Sequence, residues 1–214
     1  MTYSTIRTRI ADEFDDSALA GMTAAQVNNA IQAAILHYQR ERFYFTESRA
    51  QTFATVASQE FYGTADNSNI PNLSQIDELT ITVNGLRYPL NQRPWEWIDL
   101  VSTTTTSTGA PTDYCYYASQ IRLYPIPDAA YTVRISGLIR LATLSADGDT
   151  NAWVTVGDGE ELIRQRAKWD LATNLLNMDP DQAMKFKGAE MVAYNALRSE
   201  NIRRLAGGSI QPWL

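Results

Sequence analysis

GAPTDYCYYASQIRLYPIPDAAYTVRIS, residues 109–136, is the stretch whose reading decides the fold. A Gly-x-Pro turn at Gly109–Pro111 leads into a short aromatic strand, Tyr114 to Tyr117. A two-residue Ser119–Gln120 turn returns the chain along a second strand, Ile121 to Tyr124. Pro125 and Pro127 follow, separated by one residue. Two prolines at that spacing forbid a helix and remove ladder donors, so the chain must turn or change sheets there. Beyond the corner Tyr131, Val133 and Ile135 alternate along a third strand, expected to continue to about Leu141.

Upstream of this unit the sequence stays β-rich. Ala50 to Thr55 and Glu60 to Tyr62 read as short strands, and Asp77 to Val83 alternates around Leu79, Ile81 and Val83. Asn84–Gly85 is a type I′ hairpin signal before Leu86 to Leu90. Pro94 sits in the first turn of a short helix, Trp95 to Val101. The polar run Ser102 to Thr108, STTTTST, is expected to be a mobile loop.

Both ends of the chain are helical by pattern. Ser4 or Thr5 starts a helix to Phe14, with Ile6 and Ile10 four apart. Thr23-Ala-Ala-Gln26 is a capping box, followed by Val27, Ile31, Ala34, Ile35 and Tyr38 at helical spacing to about Phe43. Residues 142 to 158 are turn-rich around an isolated Trp153. From Glu160 the helical pattern returns through Leu162, Ile163, Ala167, Leu171, Leu175 and Leu176. Asp179-Pro180 then opens a helix carrying Ala183, Phe186, Tyr194, Leu197 and Leu205, which Gly207–Gly208 stops.

The fold class expected from this order is α+β, with N- and C-terminal helices in an antiparallel bundle beside a central antiparallel β-domain. The expected division is 1–48 (N-terminal helices), 49–141 (β-domain), 142–158 (loop), 159–206 (C-terminal helical hairpin) and 207–214 (tail).

Charge and composition narrow the function. No Lys/Arg stripe occurs in this chain of net charge −6, which disfavours tight DNA binding through phosphates. Val56 to Gly85 carries Glu60, Asp66, Asp77 and Glu78 and no cation, a character compatible with DNA sliding past without sticking. No apolar run reaches the length of a membrane span, and the N-terminus lacks the apolar segment of a signal peptide. With the single Cys115 excluding a disulfide framework, synthesis and folding in cytoplasm are expected.

Catalytic constellations are not assembled. One histidine, His37, and one cysteine provide neither a triad nor a zinc site; His37 is read as a helix contact residue and Cys115 as a buried small hydrophobe. Asp147-Gly-Asp149 lacks the remaining calcium ligands and is read as a turn. The carboxylate pairs Asp15–Asp16, Asp77–Glu78 and Glu160–Glu161 could serve glycoside hydrolysis, with Trp95, Trp97 and Trp153 lining a sugar face, but each has a plain structural explanation. The expectation is a protein that is not an enzyme and has no cofactor.

The "G-x-P-x-x-Y … I-x-L-x-P-x-P … Y-x-V-x-I" unit, the QRERFYFTESRAQTF transition at Gln39 to Phe53 and the helices from Leu162 together resemble the head-to-tail adaptors (connectors or gatekeepers) of tailed bacteriophages. This family includes the tail accessory factors and tail tubular A proteins of short-tailed phages. The resemblance implies a dodecameric ring at the head–tail junction of the virion, with a portal protein ring above and a tail or nozzle protein below. It implies a channel that double-stranded DNA traverses without specific binding, serving DNA retention and ejection. Lumen-facing residues would lie in Val56 to Ser74 or Ser102 to Thr108. The resemblance also implies a C-terminal segment that climbs onto the portal. Here that segment is Gly207 to Leu214: Gly207 and Gly208 form a hinge, and Ile210, Pro212, Trp213 and Leu214 are anchors for a partner groove. The alternative for this tail is folding back on its own bundle; for the whole protein, alternatives are a minor capsid or decoration protein and a glycan-binding tail module.

Overall fold

The computed structural model describes the chain except residues 17, 18, 20, 105, 106 and 207–214. The chain opens with α1 (Tyr3–Glu13) and α2 (Ala24–Tyr38). Strands β1 (Glu47–Ala54), β2 (Phe61–Tyr62), β3 (Leu73–Val83), β4 (Leu86–Pro89) and β5 (Asn91–Gln92) follow, then α3 (Trp95–Thr104). After β6 (Asp113–Tyr117), β7 (Gln120–Tyr124) and β8 (Thr132–Ile139) come α4 (Ala152–Thr155), α5 (Gly157–Asp170), a π-helical stretch Leu171–Leu175 and α6 (Pro180–Ala206). The protein is α+β, in two compact units: Met1–Phe45 with the chain from Leu141 on, and Thr46–Arg140.

In the helical unit, Thr2 Oγ1 accepts the Thr5 N–H to start α1. The Thr23 capping box starts α2: Gln26 N–H donates to the Thr23 hydroxyl, and Thr23 N–H to Gln26 Oε1 at 2.8 Å. This helix ends at Tyr38, short of Phe43. Arg40 to Arg42 would extend it on propensity alone. Instead the chain turns away, and Phe43 and Phe45 meet the ring of Trp153 edge-on, with centroids 5.5 and 4.9 Å away. Trp153 is wholly buried in α4, so it is a centre of the core and not part of any sugar-binding face. Ile6, Ile10, Val27, Ile31, Leu162, Ile163 and Leu197 complete that core, which helices from both chain ends share. At the start of α6 the Asp179 carboxylate accepts the Asp181 N–H.

The second unit has two four-stranded sheets, ordered β1-β8-β3-β4 and β2-β7-β6-β5. Named pairings are antiparallel except β5 with β6. One core joins the sheets: Phe53, Leu79, Ile81, Val133 and Ile135 from the first, Tyr62, Tyr114, Ile121 and Leu123 from the second. The Pro125-x-Pro127 corner carries the chain from the second sheet (β7) into the middle of the first (β8), the change of sheet its prolines require. Asn84 and Gly85 both adopt positive φ between β3 and β4, as a type I′ turn needs. The β6–β7 turn is Ala118–Ser119, one residue earlier than expected, with Tyr117 facing Gln120. That register points Ile121 and Leu123 inward; a slip of one would reverse both. Ser102 to Thr104, read as loop, belongs to α3, and Thr105 and Thr106 lie outside the described residues. β8 ends at Ile139, not Leu141.

Gly137 sits where β8 is flanked by irregular register in both neighbours, opposite Ser48 and Ile76. A Cβ there would lie 2.3 Å from the Gln75 carbonyl oxygen, a backbone atom that no rotamer change removes. Gly137→Ala is expected to cost about 1–3 kcal/mol, read as a lower urea midpoint at unchanged slope. Gly148→Ala, where a Cβ meets nothing within 4 Å, should leave the midpoint unchanged.

Candidate protein–protein interface

Of the carboxylates singled out for chemistry, Asp16, Asp147, Asp149, Glu160 and Glu161 are engaged in structural bonds. Glu160 is buried and held by Arg9 at 3.3 Å and Arg164 at 3.2 Å; burial nevertheless raises its pKa against the pull of those arginines. Arg164 also binds Glu13 and Glu161, and Lys168 binds Glu13, so this cluster ties α1 to α5. Asp16 accepts the N–H groups of Gly21 and Met22, the latter at 2.7 Å. Asp149 accepts those of Ser145 and Ala146, and these bonds hold its carboxyl below the usual range. Asp147 pairs with Arg7 at 2.7 Å. The 145–149 segment is therefore a turn closed by its own carboxylate, and no group of three or more metal-ligating side chains occurs among the described residues.

In the sheet unit Arg122 joins Glu60 at 2.5 Å and Asp99, and its guanidinium lies 4.8 Å from the Trp95 ring centre and 5.3 Å from that of Phe61. Glu60, one of the four acids between Val56 and Gly85, is thus neutralised locally. Trp97 carries Arg93 over its ring at 4.9 Å. Both tryptophans are half-buried platforms for arginine. Cys115 is buried beside Arg122, and burial pushes its thiol up.

The helical unit holds a second ionic centre where α2, α5 and α6 meet. Glu190 is 1% exposed, yet it accepts from the Tyr38 hydroxyl, from Lys187 at 2.7 Å and from Arg166 at 3.2 Å. Burial pushes the Glu190 pKa up, but the bonds from Lys187 and Tyr38 outweigh it and leave the carboxyl below its ordinary value. Burial and the Glu190 carboxylate together drive the Tyr38 hydroxyl far above its own. Tyr194 stacks on Tyr38 at 5.9 Å and donates to Glu41 at 2.8 Å. His37 lines a cavity of about 200 Å³ together with Tyr38, Glu190 and Tyr194 and is edge-on to Tyr38, its pKa lowered chiefly by desolvation. It is a helix contact residue, as its position implies.

What this centre anchors is the helix above it. Ala183, Glu190, Ala193 and Leu197 bury one face of α6. The opposite face carries Met184, Gly188, Met191, Val192, Asn195, Ser199 and Ile202, all exposed and none ionisable. Met184, Met191, Val192 and Ile202 are each 57–70% exposed. Asp181 at its N-terminal end and Lys185, Arg198 and Arg203 along its sides border this strip, whose helix is about 40 Å long at 1.5 Å per residue. From Met184 to Ile202 this outward face carries four large apolar side chains and no charge, and no other described residue covers it, a surface of the kind that proteins cover. The sequence reading followed only the buried face of α6. The signal for this one was the spacing of seven, eight and eighteen residues from Met184 to Met191, Val192 and Ile202 with no charge at the intervening outward turns. The tail anchors Gly207, Gly208, Ile210, Pro212, Trp213 and Leu214 lie outside the described residues.

A family model described as SU10 adaptor protein matches residues 1–211, nearly the whole chain. No curated protein matches the chain. No helix among the described residues is long and apolar enough to cross a membrane.

The Glu190 centre makes a pH-dependent prediction. Because its folded pKa is depressed, its contribution to stability is complete above the unfolded value near 4.5 and is lost as pH falls through the folded value. Glu190→Gln should lower stability by about 1–3 kcal/mol at pH 7. In urea melts from pH 7 to pH 2, the gap to the unaltered chain should narrow below about pH 4.5.

Proposed function

The chain belongs to the SU10 adaptor protein family and is a structural head-to-tail adaptor of a phage virion, and on that premise we propose that it forms a ring joining the portal to the tail. Double-stranded DNA passes through the ring without specific binding, during retention in the head and ejection from it. The portal protein is the partner above, and a tail or nozzle protein the partner below. The ring is dodecameric by resemblance to other adaptors. The single observation that carries the reading is a family match running from residue 1 to 211, through both structural units. The uncovered apolar strip on α6 supports it, because an isolated soluble chain gains nothing from four exposed apolar side chains that an assembled one buries. The absence of a Lys/Arg stripe from the sequence supports passage of DNA over binding of it.

Gly207 to Leu214 is the proposed portal-docking tail. Gly207 and Gly208 release it from α6, and Ile210, Pro212, Trp213 and Leu214 gain by burial in a groove of the partner.

Copy number tests the proposal against a decoration role. Quantitative mass spectrometry of purified virions should find the chain at one ring's worth per portal ring; a count scaling with the capsid protein would contradict it. A chain lacking residues 209–214 is expected to keep its circular dichroism and melting temperature and to be lost from the portal in co-sedimentation. Normal portal attachment of that truncated chain would remove the docking role from the tail.

A further inference from the structure

Resting on the reading of Gly207 to Leu214 as a portal-docking tail, we infer that this same segment, before it meets the portal, folds back along its own α6 and covers the apolar strip from Ile202 to Met191. The tail then has two apolar destinations, and attachment to the portal uncovers the strip.

The helix delivers the tail to this side. Position 206, where α6 ends, follows Ser199 and Ile202 at the spacing of one helical face. Gly207 and Gly208 come next, and glycine takes the left-handed conformation that reverses a chain at a helix end without steric cost. Ser209 to Leu214, extended at about 3.3 Å per residue, spans about 20 Å. From position 206 back to Val192 is about 21 Å at about 1.5 Å per residue. A returning tail therefore reaches Ile202, Val192 and Met191, whereas Met184, about 33 Å from the helix end, stays beyond it.

The chemistry matches along this length. Alternate residues of an extended segment share a side, which groups Ile210, Pro212 and Leu214. Ile210 and Leu214 are then about 13 Å apart, and Ile202 and Val192 about 15 Å. Asn195 and Ser199, exposed between those two contacts, offer hydrogen bonds to a tail backbone that has no ladder of its own.

Charge selects this occupant over a second copy of the helix. Another α6 would bring its own Asp181, Lys185, Arg198 and Arg203 to the strip, whereas Gly207 to Leu214 has no ionisable side chain. Along the covered part the bordering cations are Arg198 and Arg203, and Trp213 supplies an aromatic face of the kind on which arginine stacks. Arg203 and Arg204 both bind Glu200, and Arg204 lies over the Tyr44 ring at 3.8 Å. Glu41, bound to Tyr194, and Arg42, whose carbonyl accepts from Asn201, lie off the strip. Asp181 and Lys185 are beyond the tail's reach. The tether adds to the preference, because a segment joined to its own site meets it at a high effective concentration.

Methionine oxidation tests the cover, with Met184 as the internal standard. The full chain and a chain lacking residues 209–214 are treated with dilute hydrogen peroxide, and sulfoxide at each methionine is read by peptide mass spectrometry. Loss of the tail should speed oxidation of Met191 at least threefold and leave Met184 unchanged. An equal Met191 rate in the two chains overturns the inference, as does an equal rise at Met184.

A disulfide lock separates the cover from the portal reading. Val192→Cys with Leu214→Cys should bridge under oxidised glutathione at least tenfold faster than Ala196→Cys with Leu214→Cys, since Ala196 is exposed off the strip and a disulfide needs Cα atoms within about 7 Å. The native Cys115 is buried and does not compete. Equal bridging rates overturn the cover, while loss of portal attachment on deleting the tail would still stand. The locked chain should lose at least tenfold in co-sedimentation with the portal ring and regain it on reduction. Full attachment of the locked chain would uphold the cover and fail the portal reading of the tail instead.

Discussion

The helical unit depends on one buried aromatic contact. Trp153 has no exposed surface, and the rings of Phe43 and Phe45 meet it edge-on at 5.5 and 4.9 Å. Phe45 is the last residue of the unit before the chain leaves for the sheets, and Trp153 lies soon after its return at Leu141. Closing so long an excursion costs chain entropy, which grows only slowly with its length. Burial of Trp153 and Phe43, with Phe45 half-buried beside them in favourable edge-on geometry, is a large term to set against it. With that contact made, α1 and α2 share a core with α5 and α6, and the Glu190 centre can form.

That centre is where folding and surface meet. Tyr38, Arg166 and Lys187 converge on a carboxylate that would be costly to bury alone. Their convergence fixes the rotation of α6 about its axis: Glu190 points inward, so Met184, Met191, Val192 and Ile202 point outward. The ionic cluster below and the apolar strip above are two consequences of one helix orientation. The fold spends many of its charges on internal ties, Arg164 to Glu13 and Arg122 to Glu60 among them, and leaves the outward turns of α6 from Met184 to Ile202 without an ionisable side chain. For a protein that works in an assembly, neutral faces are available to be covered.

Much of the fold was legible in the sequence because its signals are local. The Thr23–Gln26 box, the Asn84–Gly85 hairpin and the Pro125-x-Pro127 corner act within a few residues, and each produces the structure its chemistry requires. What was misread depends on distant partners. Nothing in Arg40-Glu41-Arg42 stops a helix; α2 ends because Phe43 must turn to reach Trp153, more than a hundred residues away. Ala118 takes a positive φ that its own sequence does not advertise, because the inward side of β7 sets the register. Trp153, isolated among turn residues, gave no sign that two phenylalanines would close on it. The candidate site was less legible than the fold. The α6 strip is visible as spacing, but Tyr38 bound to Glu190 is a contact across 152 positions that no local pattern records.

The adaptor role is tested most directly by native mass spectrometry of the purified chain, alone and mixed with the portal ring of the same virus. The account predicts one discrete addition to the portal, equal in mass to a full ring of this chain, with no partial or unlimited series. Failure to associate at any salt concentration would contradict it, as would addition in amounts unrelated to the symmetry of the portal.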